Sequence, residues 1–195
     1  MMTAAIVACG FLLGSIPFAH LLSRRKGIDL RLVGSRNVGA ANVLRTSGTG
    51  RAIAAMCLDA AKGCAAVGLA RGFAPGADAA VMGGLASMLG HVYTPWLGFR
   101  GGKGVATGAG VFAILAPAAL AVAAVVFVVT VAVTRFISAG SVVGSVALMV
   151  ASVSFGDPVM VQVGAAVAMA LIVFRHRGNL ARLRAGTERA LGVRS

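Results

Sequence analysis

Long runs of residues without a charged side chain constrain the fold of this chain more than any other feature. Residues 104–134 contain no Asp, Glu, Lys or Arg, and residues 136–156 contain none either. A helix needs about 20 mainly apolar residues to cross the hydrocarbon core of a bilayer. Of the 195 residues, 58% are hydrophobic and 12% are charged, whereas about a quarter of a soluble domain is charged. The sequence therefore predicts an all-α integral membrane protein.

The apolar runs predict seven transmembrane helices in a single membrane domain, residues 1–195. Residues 104–134 are over-long for one crossing and short for two, with Pro117 near their middle. If they cross twice, their first helix is short or starts from a re-entrant loop, which needs shielding by protein or contact with water. The predicted spans are residues 3–23, 52–71, 78–97, 104–116, 118–134, 136–155 and 158–174.

The basic residues decide between one and two crossings for residues 104–134. Two crossings place every Lys and Arg except Lys62 and Arg71 on one face of the membrane, whereas a single crossing divides them almost evenly. Cytoplasmic loops are enriched in Lys and Arg, so the uneven division is preferred. We therefore predict that the N-terminus lies outside and that the tail from Arg175 to Arg194 lies in the cytoplasm. This arrangement fits a multi-pass protein of the inner (plasma) membrane.

The Lys and Arg residues of these cytoplasmic loops are the first explanation for the net charge of +13. Nucleic acid is not an expected partner, because only 6% of the residues are aromatic and able to stack on bases. Four polar segments converge on the cytoplasmic face and supply Arg, Lys, hydroxyl, amide and glycine residues with few carboxylates. This composition predicts an anionic substrate, since arginine and lysine bind phosphate oxygens. The segments are residues 33–45, 90–104, 134–141 and 174–188.

The sequence FRGGKGVATGAG, residues 99–110, is compatible with two roles. Its glycines could let helices pack closely, or they could turn backbone N–H groups toward a phosphate beside Lys103 at a helix N-terminus. A nucleotide-binding P-loop is excluded, because that motif needs Ser or Thr after the lysine and Gly104 follows Lys103. No metal site is expected, because the three histidines are far apart in the sequence and carboxylates are scarce.

Several motifs together resemble one family. They are GSIPF at 14–18, GSRNVGAANVLR at 34–45, GH at 90–91, FRGGKGVAT at 99–107 and HRGNLARLRAGTE at 176–188. They are similar to those of the bacterial acyl-phosphate-dependent glycerol-3-phosphate acyltransferases of the PlsY type, and the likeness runs almost end to end. The resemblance implies an enzyme that moves a fatty acyl group from acyl phosphate to the sn-1 hydroxyl of glycerol 3-phosphate. The products would be lysophosphatidic acid and inorganic phosphate, in the first step of phospholipid synthesis.

The resemblance also implies site residues, no cofactor, and an upstream enzyme that makes the acyl phosphate. The residues that would bind the phosphoryl group of the acyl phosphate are Ser35, Asn37, Gly101, Gly102 and Gly104. The residues that would bind glycerol 3-phosphate are Arg45, Lys103 and Ser141 through its phosphate, and His176 and Asn179 through its hydroxyls. The catalytic set would be Ser35, Lys103, His176 and Asn179, with support from Glu188. Ala41 departs from the family, which usually has threonine there.

The alternative function is a small transporter of phosphorylated metabolites. A transporter would also use cations and broken helices near its substrate, with polar groups at the bilayer midplane or on both faces. In this chain nearly all the polar groups cluster at one face, which favours an enzyme supplied from the cytoplasm and the lipid.

Three further polar residues are predicted to have structural roles. Asp59 and Lys62 are three residues apart in the second span, so they share a helix face and are expected to form an ion pair. His91 precedes the glycine run and is expected to brace it.

Overall fold

Ten α-helices and one 3-10 turn make up the regular structure of residues 1–192, which the computed structural model describes. Arg194 of the predicted tail lies outside the described residues. The helices are α1 (Met2–Ser15), α2 (Phe18–Arg24), α3 (Ala40–Ser47), α4 (Thr49–Phe73), α5 (Ala77–Val92), α6 (Val105–Leu115), α7 (Pro117–Thr134), α8 (Ile137–Ser154), α9 (Val159–Arg175) and α10 (Arg177–Arg184), with the 3-10 turn at Pro95–Leu97. No strand occurs in this part of the chain, and the all-helical prediction is confirmed.

The length and hydropathy of the helices fit a membrane protein. Four segments are long and apolar enough to cross a bilayer. One is formed by α1 and α2 together, and the others are α4, α7 and α8. A fifth candidate is α9, which is bent by 56° from the polar helix α10. The helix α6 is apolar but has only 11 residues, or roughly 16 Å of helix. Pro117 begins α7 directly after it, so residues 104–134 form two helices as predicted. The count of seven spans and the orientation stay predictions.

Helix α5 ends earlier than the sequence predicts. The predicted span runs to residue 97, whereas α5 stops at Val92 and the chain turns at Pro95–Leu97. Thr94 precedes Pro95 and has extended backbone angles, as expected because proline disfavours the helical region for the residue before it. The early end of α5 leaves residues 98–104 free to fold back against its C-terminus.

Close approach between helices depends on glycines whose missing Cβ leaves room for a neighbouring backbone. A Cβ on Gly14 would overlap Ser87 of α5, and one on Gly90 would overlap Phe11 of α1. A Cβ on Gly110 of α6 would overlap the backbone of Ala60 in α4. These contacts confirm that part of the glycine content serves helix packing. They let α1 pack closely on α5, and α6 pack closely on α4.

Candidate active site

The loop Phe99–Gly104, called the glycine loop below, folds against the C-terminus of α5. The Gly101 N–H donates to the Val92 carbonyl at 3.0 Å, and the Gly102 N–H donates to the His91 carbonyl at 3.1 Å. A Cβ on Gly101 would overlap the His91 carbonyl oxygen, and one on Gly102 would overlap the His91 imidazole. Glycine is therefore required at both positions by the close approach of α5, and the predicted bracing by His91 is confirmed.

These hydrogen bonds concern two of the backbone donors predicted for the phosphate site. The N–H groups of Gly101 and Gly102 were expected to bind the phosphoryl group of acyl phosphate, but carbonyls of α5 already accept them. Gly104 has a left-handed conformation, φ 85°, and caps the N-terminus of α6. The first N–H groups of a helix have no partner within the helix. The N–H groups of the first turn of α6, which follows Gly104, are therefore the backbone donors that could meet an anion here.

Lys103 lies at the centre of the site, and hydrogen bonds connect it to Asn179 and Glu188. Its Nζ donates to Asn179 Oδ1 at 2.5 Å, and Asn179 Nδ2 donates to Glu188 Oε1 at 2.5 Å. Glu188 also accepts from Ser138 Oγ at 2.8 Å and Arg182 Nε at 2.7 Å. The structure thus brings together three residues predicted for the site, Lys103, Asn179 and Glu188.

Positive charge exceeds negative charge around Lys103. Burial lowers the pKa of Lys103 to about 8; Glu188 opposes this shift, and three arginines add to it: Arg182, Arg45 and Arg175. Burial alone would raise the pKa of Glu188, but hydrogen bonds from Asn179, Ser138 and Arg182 bring it below its ordinary value. Three arginines therefore lie close enough to Lys103 to oppose its charge, and Glu188 is the carboxylate that offsets it; this excess of positive charge is suited to a bound phosphate.

His176 lies at the bend between α9 and α10 and is only 3% exposed. Burial and the neighbouring Lys103 lower its pKa to about 4, so the ring is neutral near pH 7. The ring Nδ1 lies 2.8 Å from the Ile172 carbonyl. A carbonyl only accepts, so Nδ1 carries the proton and Nε2 keeps a lone pair. That lone pair can accept a hydrogen bond from a substrate hydroxyl, but a pKa of about 4 makes the ring a weak base.

The first predicted motif forms a loop that Asn42 organises. Asn42 is 1% exposed; its Oδ1 accepts the Ser35 N–H at 2.9 Å, and its Nδ2 donates to the Leu30 and Val33 carbonyls. Asn37 Nδ2 donates to the Gly101 carbonyl at 3.3 Å, which joins this loop to the glycine loop. Ser35 itself is exposed. Asn42 was not among the predicted site residues, although its place in GAAN, residues 39–42 of the first motif, pointed to it.

Arg45 is held by the segment Ala185–Gly192, which follows α10 and is called the C-terminal segment below. Arg45 Nη2 donates to the Arg189 carbonyl at 3.3 Å. Farther along, the Leu191 N–H donates to the Arg135 carbonyl at 2.7 Å, and Arg135 Nη2 donates to the Leu191 carbonyl at 3.2 Å. The C-terminal segment therefore bridges α3 and the α7–α8 turn across the site.

Two further residues belong to the site although they were not predicted for it. Ser138, in the first turn of α8, donates to Glu188. Arg175 Nη2 donates to the Gly101 and Gly102 carbonyls at 3.4 and 3.2 Å. The predicted Ser141 lies one turn after Ser138 on α8, is buried, and donates to the Ile137 carbonyl at 2.8 Å. The prediction of Ser141 as a site residue was the one sequence indication of Ser138, because residues three apart share a helix face.

Comparisons with known proteins identify the family of the chain. The family model described as glycerol-3-phosphate acyltransferase matches residues 4–186. The glycerol-3-phosphate acyltransferase of a Thermus thermophilus strain is 45% identical over 198 residues, covering 99% of this chain and 98% of that protein. The enzyme of Geobacter sulfurreducens is 46% identical over 187 residues, with 94% of each chain covered.

Two crystal structures share the fold. The glycerol 3-phosphate form of PlsY, an integral membrane glycerol 3-phosphate acyltransferase, superposes with a TM-score of 0.93 at 37% identity, covering 98% of this chain and 96% of that one. Its lysophosphatidic acid form gives a TM-score of 0.91 at 36% identity, with the same coverage. These matches decide for an enzyme and against the transporter. The chain belongs to the glycerol-3-phosphate acyltransferase family and has the integral membrane fold of PlsY.

Proposed function

We propose that the chain transfers a fatty acyl group from acyl phosphate to the sn-1 hydroxyl of glycerol 3-phosphate. The products are lysophosphatidic acid and inorganic phosphate, and a separate enzyme supplies the acyl phosphate. The observation that carries the proposal is the group of cations around Lys103, which faces a single carboxylate, Glu188. Two phosphate-bearing substrates need such an excess of positive charge, and an activated acyl donor needs no covalent enzyme nucleophile.

Glycerol 3-phosphate binds between the glycine loop, α3 and α8 in this proposal. Lys103 and Arg45 neutralise its phosphate, and Ser141 donates its hydroxyl after leaving the Ile137 carbonyl. Asn179 and the Nε2 lone pair of His176 orient the glycerol hydroxyls. Glu188 keeps Asn179 and Arg182 in place through the hydrogen bonds that it accepts.

The acyl phosphate lies on the other side of the glycine loop. Ser35 and Asn37 donate to its phosphoryl oxygens, and Asn37 exchanges its bond with the Gly101 carbonyl for this purpose. The N–H groups at Gly104 and the first turn of α6 add a helix N-terminus, which favours a bound anion. Gly101 and Gly102 contribute by shape, because they allow the loop to pack tightly on α5.

The chemistry needs no covalent intermediate. The sn-1 oxygen attacks the carbonyl carbon and forms the new ester bond, while the bond from that carbon to the phosphate oxygen breaks. The hydroxyl proton ends on the released phosphate, which we propose as the acceptor because the low pKa of His176 makes it a weak base. Binding of both substrates in register and stabilisation of the leaving phosphate by fixed cations lower the barrier.

The proposal includes a membrane topology. Seven helical spans, an outer N-terminus and a cytoplasmic C-terminus would place Lys103, Arg45 and the C-terminal segment on the cytoplasmic face of the inner membrane. The hydrogen bonds that Lys103 and Arg45 make to the residues after α9 support this arrangement. Glycerol 3-phosphate would then reach the site from the cytoplasm, and the acyl phosphate would reach it from the lipid.

The donor assay tests this function. Purified protein receives labelled glycerol 3-phosphate with palmitoyl phosphate, palmitoyl-CoA or palmitoyl-acyl carrier protein, and labelled lysophosphatidic acid is measured together with released phosphate. We expect product from palmitoyl phosphate alone, with one phosphate released for each product molecule. Product from the thioester donors would contradict the donor assignment, and no product from any donor would contradict the whole proposal.

The pH dependence of kcat/KM for glycerol 3-phosphate separates Lys103 from His176. Lys103 is charged below its pKa of about 8, so kcat/KM should fall as the pH rises through about 8. His176, with a pKa of about 4, stays neutral at higher pH and should contribute no change between pH 5 and 7. A limb near pH 6 belongs to the second ionisation of the substrate phosphate, about 6 for such esters. Steady-state rates of the wild type and His176→Gln check this, and an acid limb that vanishes in His176→Gln would make His176 the base.

A further inference from the structure

Three ionisable side chains lie buried behind the glycine loop and have no role in the proposed chemistry. They are Asp59 and Lys62 of α4 and His91 of α5, with exposures of 2%, 3% and 8%. Lys62 Nζ lies 2.8 Å from Asp59 Oδ1, which confirms the predicted ion pair. Ionisable groups inside transmembrane segments are costly. An ion pair between Asp59 and Lys62 could serve helix packing without His91 beside it.

Lys62 joins three separate elements of the fold. Besides Asp59, its Nζ donates to His91 Nδ1 at 2.9 Å and to the Ile16 carbonyl at 2.9 Å. Ile16 lies in the break between α1 and α2, next to Pro17. A lysine ammonium has three N–H donors; these two hydrogen bonds use two of them, beside the ion pair with Asp59. The position of His91 is thereby fixed relative to α4 and to the α1–α2 break.

These bonds also define how His91 meets the glycine loop. An ammonium cannot accept a hydrogen bond, so His91 Nδ1 must be the acceptor and Nε2 carries the proton. The Nε2 side of the ring occupies the space where Gly102 would carry a Cβ. The backbone carbonyl of His91 accepts the Gly102 N–H at 3.1 Å. His91 therefore contacts Gly102 through both its ring and its carbonyl.

We infer that Asp59, Lys62 and His91 are positioning residues that set the glycine loop and, through it, Lys103. Lys103 follows Gly102 directly, so a shift of the loop moves its ammonium away from Asn179, which it contacts across 76 residues of sequence. On the opposite side of the loop, Arg175 binds the Gly101 and Gly102 carbonyls. The loop is thus held between a buried network and the half-buried Arg175. The inference rests on the proposed function for the substrates involved.

The double variant Asp59→Asn with Lys62→Met tests the inference without leaving a buried charge unpaired. Replacing both members of a buried ion pair by neutral groups often leaves stability nearly unchanged. We expect kcat/KM for both substrates to fall by roughly 10- to 100-fold, since small misplacement of binding groups has effects of that size. The matched control is Ser87→Ala, which removes another buried polar group of α5, bonded to the Gly84 carbonyl. Its kcat/KM should stay at the wild-type value.

The variant His91→Asn tests the effect of the imidazole ring separately from that of the hydrogen bond to Lys62. Asparagine keeps an oxygen that can accept from Lys62 but removes the ring edge that faces Gly102. We expect a melting temperature near that of Ser87→Ala and a loss of kcat/KM like that of the double variant. If kcat/KM per folded protein keeps its wild-type value in both network variants, the network serves packing alone and the inference is overturned.

Amide hydrogen exchange gives a readout that does not depend on activity. The Gly101 and Gly102 N–H groups are bonded to α5 carbonyls, so they should exchange slowly in the wild type and in Ser87→Ala. They should exchange faster in both network variants. Unchanged exchange there would overturn the inference. An inactive wild type with this exchange pattern would instead contradict the proposed function and leave the positioning role standing.

Discussion

Replacement of Lys103 by alanine is expected to lower kcat/KM for glycerol 3-phosphate about a thousandfold. Truncating one member of a desolvated charge pair costs about 2–5 kcal/mol, and each 1.4 kcal/mol or so is tenfold in rate. Lys103 is the partly buried cation that contacts Asn179 at the centre of the site. Steady-state kinetics in detergent with palmitoyl phosphate as donor measure this loss.

Two further variants make the Lys103 result specific. Lys103→Arg keeps the charge but changes the geometry, so we expect it to retain part of the activity. Lys26→Ala is the matched control, because Lys26 is an exposed lysine between α2 and α3 and should be replaceable at no cost to kcat/KM. Wild-type kcat/KM in Lys103→Ala would contradict the central role of this residue. A similar loss in Lys26→Ala would attribute the effect to the general surface charge.

Gly110→Ala is expected to have the largest effect on stability. Its Cβ would overlap the carbonyl oxygen and Cα of Ala60, and a backbone cannot turn aside as a flexible side chain can. Overpacking costs about 1–3 kcal/mol in ordinary cores, and we expect a loss at the upper end, about 3 kcal/mol. Unfolding in detergent, followed by circular dichroism, measures it.

Gly68→Ala in α4 is the matched control for this substitution. Nothing lies within 4 Å of the place where its Cβ would be, and alanine stabilises a helix interior over glycine by roughly 0.5–1 kcal/mol. The control should therefore equal or exceed the stability of the wild type. Equal stability of Gly110→Ala and Gly68→Ala would mean that α4 and α6 are not packed through this contact.

The helices could be predicted from the sequence because the bilayer leaves little choice. A spanning segment must satisfy its own backbone hydrogen bonds, so apolar runs such as residues 136–155 have to be helical, as α8 is. The polar helices α3 and α10 were not predicted, because they are short and lack an apolar run of spanning length. The predicted end of α5 is wrong because Trp96 and Leu97 extend the apolar run, whereas Pro95 ends the helical backbone before them.

The candidate site was predictable by residue type and less so by geometry. Motif resemblance indicated Lys103, Asn179 and Glu188, which the structure joins by direct hydrogen bonds. The glycine run favours an open row of N–H donors, but the sequence does not show that α5 ends at Val92 and presents carbonyls to it. Arg175 was expected only as a basic residue of the tail, because its contact with Gly101 spans 74 residues.

The hydrogen bonds of the C-terminal segment also order events during biosynthesis. Arg45 is among the first cations to be synthesised, yet its carbonyl acceptor at Arg189 is made 144 residues later. Domains form in the order in which they leave the ribosome, so most of the helices can enter the bilayer while the anion site is unfinished. Asn179 and Glu188 reach Lys103 only near the end of translation. A nascent chain arrested before them would occupy the membrane with the hydrogen bonds around Lys103 still missing.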